Sequence, residues 1–180
     1  MYFNTPAFAD CGADSSGRLM PNAFKVKKIT FLSMALFFLN ACSFTTGVFE
    51  KSIPLPGHEW ASSFRPDIAF TITDTVSAYN IYIVLRHNDA YHYNNLYLRA
   101  TVKEPGESRP KSGDYELALA TNEKGWIGTA MDDIYDARLL IQPKTKFSKA
   151  GTYHFIIEQL MREDPLKSML SIGLRVEKIQ

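Results

Sequence analysis

The chain has 180 residues, of which 46% are apolar and 22% are charged, and its formal net charge is +1. This composition is typical of a globular protein and excludes disorder of the whole chain. Residues 1–41 carry four positive and two negative side chains, so the remainder has 16 positive and 17 negative ones. A nearly neutral body has no electrostatic basis for binding nucleic acid.

The N-terminal region predicts an export signal. Three lysines within residues 25–28 precede an apolar run over residues 29–39. A membrane-spanning helix needs about 20 apolar residues, so this run is too short to remain as an anchor. A basic flank, a short apolar stretch and a small residue before the cleavage site are the parts of a secretory signal peptide. Residues 1–19 are polar and precede this signal, which favours Met20 as the true start.

The signal ends at a cysteine. The sequence Leu39-Asn40-Ala41-Cys42 resembles the lipobox of bacterial lipoproteins. The resemblance implies that the thiol of Cys42 receives a diacylglyceryl group, that the signal is removed before it, and that the new amine is acylated, with palmitate as an expected acyl chain. Such chains hold a protein on a bilayer, because each buried CH₂ contributes about 0.8 kcal/mol. An ordinary signal peptide followed by a chance cysteine is the alternative.

These features divide the chain into three predicted parts. Residues 1–41 are the signal peptide region, residues 42–52 are the lipidated tether and first strand, and residues 53–180 are one β-sandwich domain. Ser43 stands where an aspartate would retain some lipoproteins at the inner membrane. By resemblance to those sorting rules, we expect a cell-envelope protein anchored by lipid at the outer membrane.

The body of the chain has apolar residues at every second position. This period places each set on one face of a pleated strand. Such sets are Ile68, Phe70 and Ile72; Leu96, Leu98, Ala100 and Val102; Tyr115, Leu117 and Leu119; Tyr153, Phe155 and Ile157; and Ile172, Leu174 and Val176. Frequent turn signals separate them. The sequence therefore predicts an all-β fold, an antiparallel β-sandwich of immunoglobulin-like or jelly-roll-like type.

Two segments carry further expectations. Residues 81–85 are apolar at every position, which is typical of a central strand covered on both faces. Tyr153 follows Lys149-Ala150-Gly151-Thr152, which resembles a strand entry of immunoglobulin-like sandwiches, where a tyrosine hydroxyl binds the backbone of the preceding corner. Plain core packing of Tyr153 is an equal alternative.

Residues 86–95 form a polar stretch, rich in aromatic side chains, between two strong strands. We expect a solvated loop, and His87 and His92 are weaker candidates for metal ligands because no cysteine or third histidine is near. Tyrosines mixed with asparagines make adaptable contacts, so Tyr91, His92 and Tyr93 are predicted to bind a partner.

Three carboxylates cluster at Asp132, Asp133 and Asp136. Such a cluster can hold Ca²⁺ or raise carboxyl pKa values, but the glycine and glutamate spacing of an EF-hand is absent. A turn in which the aspartates bond local amides is the preferred interpretation. In a surface loop over residues 131–138, Asp133, Tyr135 and Asp136 would contact a partner.

Trp60 and Trp126 leave a carbohydrate-binding module open as the alternative function. An exposed indole would suit a sugar, whereas placement in the core fits these residues equally well. Trp126 is also a predicted partner-binding residue. No nucleophile elbow, phosphate-binding loop or dinucleotide fingerprint is present, so we expect no enzymatic activity, no cofactor, no metal site and no small-molecule substrate. An envelope hydrolase built on the aspartates is a third, unsupported hypothesis.

Several segments together resemble one family. They are Asp89-Ala90-Tyr91, Asn94-Asn95-Leu96-Tyr97, Gly125-Trp126-Ile127-Gly128, Asp133-Ile134-Tyr135-Asp136, Met161-Arg162-Glu163-Asp164-Pro165 and Gly173-Leu174-Arg175-Val176-Glu177. On these motifs the chain resembles the GldH-type gliding motility lipoproteins of the Bacteroidetes. The resemblance implies a lipoprotein that cells need for gliding, with the membrane, other gliding proteins of the envelope and the type IX secretion apparatus as its partners. It supplies no catalytic residue and no cofactor.

Overall fold

A computed structural model describes residues 47–179 of the chain. Cys42 and the predicted signal peptide lie outside these residues. The described part contains thirteen strands: β1 Val48–Pro54, β2 Glu59–Trp60, β3 Asp67–Ile72, β4 Tyr79–Asn88, β5 Asn95–Lys103, β6 Lys111–Ala118, β7 Ala120–Thr121, β8 Gly125–Trp126, β9 Thr129–Met131, β10 Ile134–Thr145, β11 Gly151–Gln159, β12 Leu166–Lys167 and β13 Met169–Lys178. One short 3-10 turn occupies Pro56–His58. Within residues 47–179 there is no helix with the length and apolar character needed to span a membrane.

The strands form two main antiparallel sheets. The first has the order β1-β13-β4-β10-β9, and the second has the order β3-β11-β5-β6. Two strand pairs, β12-β2 and β7-β8, lie beside them. The predicted all-β fold and its antiparallel sandwich are thereby confirmed. β1 is paired with β13 along its whole length, so the first strand, which we placed within residues 42–52, belongs to the first sheet and continues to Pro54.

The core is built from the alternating residues of both sheets. All five of the predicted period-two sets lie in or directly beside strands, and their inward members are largely buried. The fully buried side chains include Ile68, Ile83, Leu85, Leu96, Leu98, Phe155, Ile157, Ile172 and Leu174. Each large apolar side chain buried in this way stabilises the fold by roughly 1.5–3 kcal/mol before conformational entropy is counted.

The predicted central strand is β4, which lies between β13 and β10. Its residues Ile81, Ile83 and Leu85 face the second sheet, whereas Val84 faces outward and is still buried. Val84 pairs with Gly173 on one side and with Arg138 on the other. The long side chain of Arg138 crosses β4 and β13 to reach β1, so charged side chains with apolar stems cover this outer face.

Tyr153 fulfils both of the roles weighed for it. Its ring is buried and stacks on Phe70, with the ring centroids 5.7 Å apart. Its hydroxyl donates a hydrogen bond of 2.9 Å to the carbonyl oxygen of Lys149, four residues back along the chain. The tyrosine therefore fixes the entry into β11 and fills the core at the same time.

The strand register defines two ends of the sandwich. At one end, which we call the N-terminal end, Val48 pairs with Glu177 and Tyr79 pairs with Thr145. At the other end, which we call the loop end, Ile134 pairs with Asn88. The described chain enters at the first end, and the segments that carry the predicted binding residues lie at the second.

Candidate interaction site at the loop end

The seven predicted partner-binding residues gather at the loop end. They come from the β4–β5 loop, from β8, from the β9–β10 turn and from the start of β10, and they are Tyr91, His92, Tyr93, Trp126, Asp133, Tyr135 and Asp136. The eighth predicted site residue, Cys42, lies outside the described residues. Sequence segments up to 45 residues apart are thus brought to one place, although their exposure differs.

His87 is the centre of an aromatic cluster at this end. The imidazole is fully buried, with its ring centroid 4.6 Å from that of Trp126 and 5.5 Å from those of Tyr91 and Tyr135. Its Nδ1 atom lies 2.9 Å from the carbonyl oxygen of Asn88. Its Nε2 atom has no hydrogen-bond partner within the described chain.

The expectation that His87 lies in a solvated loop is wrong. β4 continues to Asn88, so the inward positions 81, 83 and 85 are followed by position 87. The period of two was present in the sequence, but the polar and aromatic neighbours of His87 concealed it. Burial lowers the pKa of His87, because removing the ring from water disfavours its charged form.

Trp126 reaches this cluster because two glycines shape its segment. Gly125 has φ +68° and Gly128 has φ +119°, conformations that residues with side chains rarely adopt. A Cβ on Gly128 would collide with the backbone carbonyl of Asp136, so only glycine permits this approach to β10. The indole of Trp126 is half-buried and packs against Tyr135, with the ring centroids 5.8 Å apart.

The β4–β5 loop has one buried and two exposed candidates. Tyr91 is buried, and its hydroxyl donates to the carbonyl oxygen of Asn95 at 2.9 Å. Burial raises the pKa of Tyr91. Tyr93 packs edge-on against Tyr91 and remains exposed, and a hydrogen bond to Glu163 raises the pKa of its hydroxyl. His92 is also exposed, so two of the three candidates in this loop face solvent.

The acidic segment forms a tight hairpin. Asp132 has φ +55° and, with Asp133, makes the turn between β9 and β10, so the predicted turn is present, whereas the predicted hydrogen bonds from local amides to these aspartates are not seen in the described residues. Asp136 lies within β10, where one of its oxygens accepts a hydrogen bond of 2.8 Å from Arg86. Within residues 47–179, no three His, Cys, Asp or Glu side chains are grouped as a metal site would require.

A shallow cavity of about 390 Å³ lies beside this hairpin. Its walls combine the exposed thioether of Met131, the side chain of Ile134 and the charged groups of Arg86, Asp136 and Arg138. Met131 has 71% of its surface exposed, which is high for an apolar side chain at a strand end. The surface offers an apolar contact surrounded by paired charges, a combination typical of protein interfaces.

Trp60 is not part of any exposed surface. It is fully buried, and its indole nitrogen donates to the carbonyl oxygen of Phe64 at 2.9 Å. Trp60 therefore offers no exposed indole face on which a sugar ring could stack, whereas Trp126 is half-buried in the aromatic cluster. The support that Trp60 gave to a carbohydrate-binding module is lost.

The fold and the loop end define a class of protein, namely a compact antiparallel β-sandwich that carries an exposed surface on the loops of one end. A model of the family described as GldH lipoprotein matches residues 47–176, which is almost the whole described part. The chain belongs to the GldH lipoprotein family, and the resemblance stated from its motifs is confirmed. Membership implies a membrane-anchored protein of the cell envelope that is linked to gliding motility.

Two curated relatives agree with this assignment. The chain is 27% identical over 129 residues to the gliding motility lipoprotein GldH homolog of Christiangramia forsetii, covering 67% of this chain and 78% of the relative. It is also 27% identical over 165 residues to the gliding motility lipoprotein GldH of Flavobacterium johnsoniae, covering 86% of this chain and 98% of the relative.

Two solved structures show a distant likeness to this chain. The VP2 subviral particle of infectious bursal disease virus has a TM-score of 0.33 at 14% identity, over 77% of this chain and 34% of that one. Desmodium yellow mottle tymovirus has a TM-score of 0.27 at 7% identity, over 100% of this chain and 98% of that one. These scores carry no argument about this chain.

Proposed function

We propose that this protein is a lipid-anchored, non-catalytic component of the gliding machinery at the outer membrane. Signal cleavage before Cys42 would leave that residue as an acylated N-terminus, with palmitate among its acyl chains. The loop end would contact other envelope proteins of gliding and of the type IX secretion apparatus. Family membership and the lipobox-like sequence at residues 39–42 support the anchor.

The observation that carries the proposal is the arrangement of the two ends. Val48 opens β1 at the N-terminal end, only six positions after Cys42. Six residue steps span at most about 20 Å when fully extended, so a lipid on Cys42 would keep the N-terminal end near the bilayer. The family motifs at residues 89–97, 125–128 and 133–136 gather at the opposite end, where envelope partners would meet them.

The chemistry of the loop end suits binding to a protein. Tyr93 and Met131 are exposed there, and Tyr97 is exposed on the neighbouring face of the second sheet. Aromatic residues and methionine are enriched at protein interfaces. The nearby charges of Arg86 and Asp136 are already paired with each other, so a partner that covers them need not leave a charge unpaired.

A matched pair of variants tests which end contacts the partner. Met131→Asp places a charge at the loop end, and Val76→Asp places the same charge at the N-terminal end, where Val76 has 84% of its surface exposed. In cells whose native copy is deleted, we expect Met131→Asp to abolish gliding at normal protein levels and Val76→Asp to preserve it. Equal gliding of both variants would remove the loop end from the proposal.

The anchor is tested separately. Cys42→Ser should take up no radiolabelled fatty acid at this position and should leave the membrane fraction. A Cys42→Ser protein that stays with the outer membrane and supports gliding would overturn the proposed lipid attachment.

A photo-crosslinking residue at position 93 identifies the partner in cells with wild-type Cys42. It should capture gliding or secretion proteins, whereas one at the exposed position 71 of β3 should not.

A further inference from the structure

A second cavity, of about 400 Å³, opens between the two sheets and has no part in the function proposed above. It lies along the side of the sandwich where β6 is the edge of one sheet. On the other sheet β9 pairs with β10 only at Ile134–Asp136, so the later part of β10 is an edge as well. Because these two edges are not joined by backbone pairing, the core is accessible between them.

The inner walls of this cavity are apolar. They are formed by buried residues of both sheets, among them Phe70, Ile81, Ala100 and Phe155. Phe147 closes the N-terminal side, packing edge-on against Tyr153 with the ring centroids 4.8 Å apart. An apolar cavity of about 150 Å³ can already bind benzene, and ligand sites are typically about 300–1,000 Å³.

The rim of the cavity is polar and carries a positive excess. Lys111 and Lys146 are exposed there, and the one carboxylate among the lining residues, Glu104, binds Lys111 at 2.5 Å. The side-chain amide of Gln142 on β10 donates to the hydroxyl of Tyr115 on β6 at 2.7 Å, which is a side-chain bridge between the two edges. An apolar interior below a cationic rim complements a molecule with one alkyl chain and an anionic head.

We propose that this cavity binds a single-chain anionic amphiphile, with the alkyl chain between the sheets and its carboxylate or phosphate at Lys111 and Lys146. The cavity reaches Thr145 and Phe147 at the N-terminal end, the end at which the described chain begins. The opening between β6 and β10 therefore lies close to the end that the anchor would bring near a bilayer, the source of a lipid-derived ligand. Fatty acids and lysophospholipids share the required chemistry.

A photoreactive palmitate with a diazirine at the chain terminus tests the site directly. It is added to purified full-length protein carrying Cys42→Ser, which has no lipid-accepting thiol at position 42, and the crosslinked residues are mapped by mass spectrometry. We expect labels on the inner walls, on β5 and β11 near Ala100 and Phe155. Crosslinks found only at the loop end or on the outer faces of the sheets would overturn the proposal.

Two tryptophan variants then test whether the alkyl chain of the ligand occupies this cavity. Ala100→Trp fills the cavity, whereas Ala69→Trp adds the same volume on the exposed outer face of β3 in the same sheet. We expect Ala100→Trp to abolish labelling and Ala69→Trp to leave it unchanged. If Ala100→Trp fails to fold, Val102→Phe, which narrows the cavity from a half-buried position, serves in its place. Undiminished labelling of a folded cavity-filling variant would refute the assignment.

The head group is tested by competition and by charge. Palmitate should displace the probe at about tenfold lower concentration than the uncharged alcohol of equal length, and replacing both lysines by alanine should abolish that difference. A lysophospholipid competing better than palmitate would identify membrane phospholipid as the source, and the reverse would identify free fatty acid. Equal competition by acid and alcohol would contradict the anionic head.

Discussion

Arg138 of β10 binds Glu50 of β1 although β4 and β13 lie between their strands. The nearest atoms, Nη2 and Oε1, are 3.2 Å apart, and the two residues are 88 positions apart in sequence. Arg175 of β13 binds the same carboxylate at 2.8 Å. One carboxylate therefore links the edge strand β1 both to its neighbour β13 and to β10, beyond the central strand β4.

Replacing Glu50 with glutamine should weaken this tie. Hydrogen bonds from Arg138, and then from Arg175, lower the pKa of Glu50, which is normally near 4.5. The stabilisation is therefore complete above that value and is lost as the pH falls through the lowered pKa. We expect Glu50→Gln to cost about 1 kcal/mol at pH 7, after discounting for partial exposure, and less in acid.

Urea unfolding at pH 7 and at pH 3 measures this difference. Asp114→Asn is the matched control, because Asp114 pairs with Arg99 at 2.6 Å on the exposed face of the second sheet, where solvent screens the pair. The control should change stability less than Glu50→Gln does. Identical unfolding curves for Glu50→Gln and the parent at pH 7 would contradict the role assigned to this carboxylate.

His87 should make the stability of the domain fall in mild acid. Its folded pKa lies below the unfolded value of about 6.5, so the unfolded chain binds a proton first as the pH drops. The contribution of neutral His87 to the free energy of unfolding is complete above the unfolded pKa, and it declines as the pH falls towards the folded pKa. His87→Phe, which keeps an aromatic ring among Trp126 and Tyr135, should flatten the decline between pH 7 and pH 5.

Thermal unfolding across that pH range checks the prediction, with His92→Phe as the control. His92 is exposed in the β4–β5 loop, so its replacement should leave the slope of the parent unchanged. A His87→Phe protein that loses stability in acid as steeply as the parent would show that another group causes the decline.

Trp126 should hold the β7–β8 hairpin to the domain. Trp126→Ala removes the contacts to His87 and Tyr135, and we expect a loss of about 2 kcal/mol because the indole is half-buried. Hydrogen exchange should accelerate over residues 120–131 and remain slow in β4 and β13. Lys124→Ala, a change at an exposed position of the same hairpin, should leave the exchange unaltered.

The hydroxyl of Tyr153 should stabilise the entry into β11. Tyr153→Phe keeps the ring stacked on Phe70 but leaves the carbonyl of Lys149 without its donor, so we expect a cost of about 1 kcal/mol. Tyr97→Phe removes a hydroxyl at an exposed position and should change stability less. Equal denaturation midpoints for the two variants would mean that the aromatic ring of Tyr153 stabilises the fold and that its hydroxyl adds nothing.

The strands could be predicted from the sequence because their signal is local. Alternation at positions such as Ile68, Phe70 and Ile72 reports directly which face of a strand is buried. The same rule extended through Leu85 would have placed His87 inside, but its polar neighbours resembled a loop. Trp126 was ambiguous for a different reason, since its burial depends on the close approach of Gly128 to β10.

Features that depend on the order of strands in a sheet could not be predicted from the sequence. The pairing of Glu50 with Arg138 requires β1, β13, β4 and β10 to be neighbours in that order, and no local pattern specifies this. The cavity between β6 and β10 likewise exists because β9 is too short to cover the later part of β10. The motifs contain residues that the fold brings together at the loop end, but they could not distinguish buried Tyr91 from exposed Tyr93.

The place of β1 in the sheet has a mechanical consequence. A pull on the residues before Val48 acts along the axis of β1, which is joined to β13 over seven antiparallel residue pairs. Such a tensile load shears these hydrogen bonds together instead of opening them one after another, and the Glu50 bridges resist the same displacement. A cell that drags this protein by its N-terminus against a partner held at the loop end would therefore load all seven pairs at once.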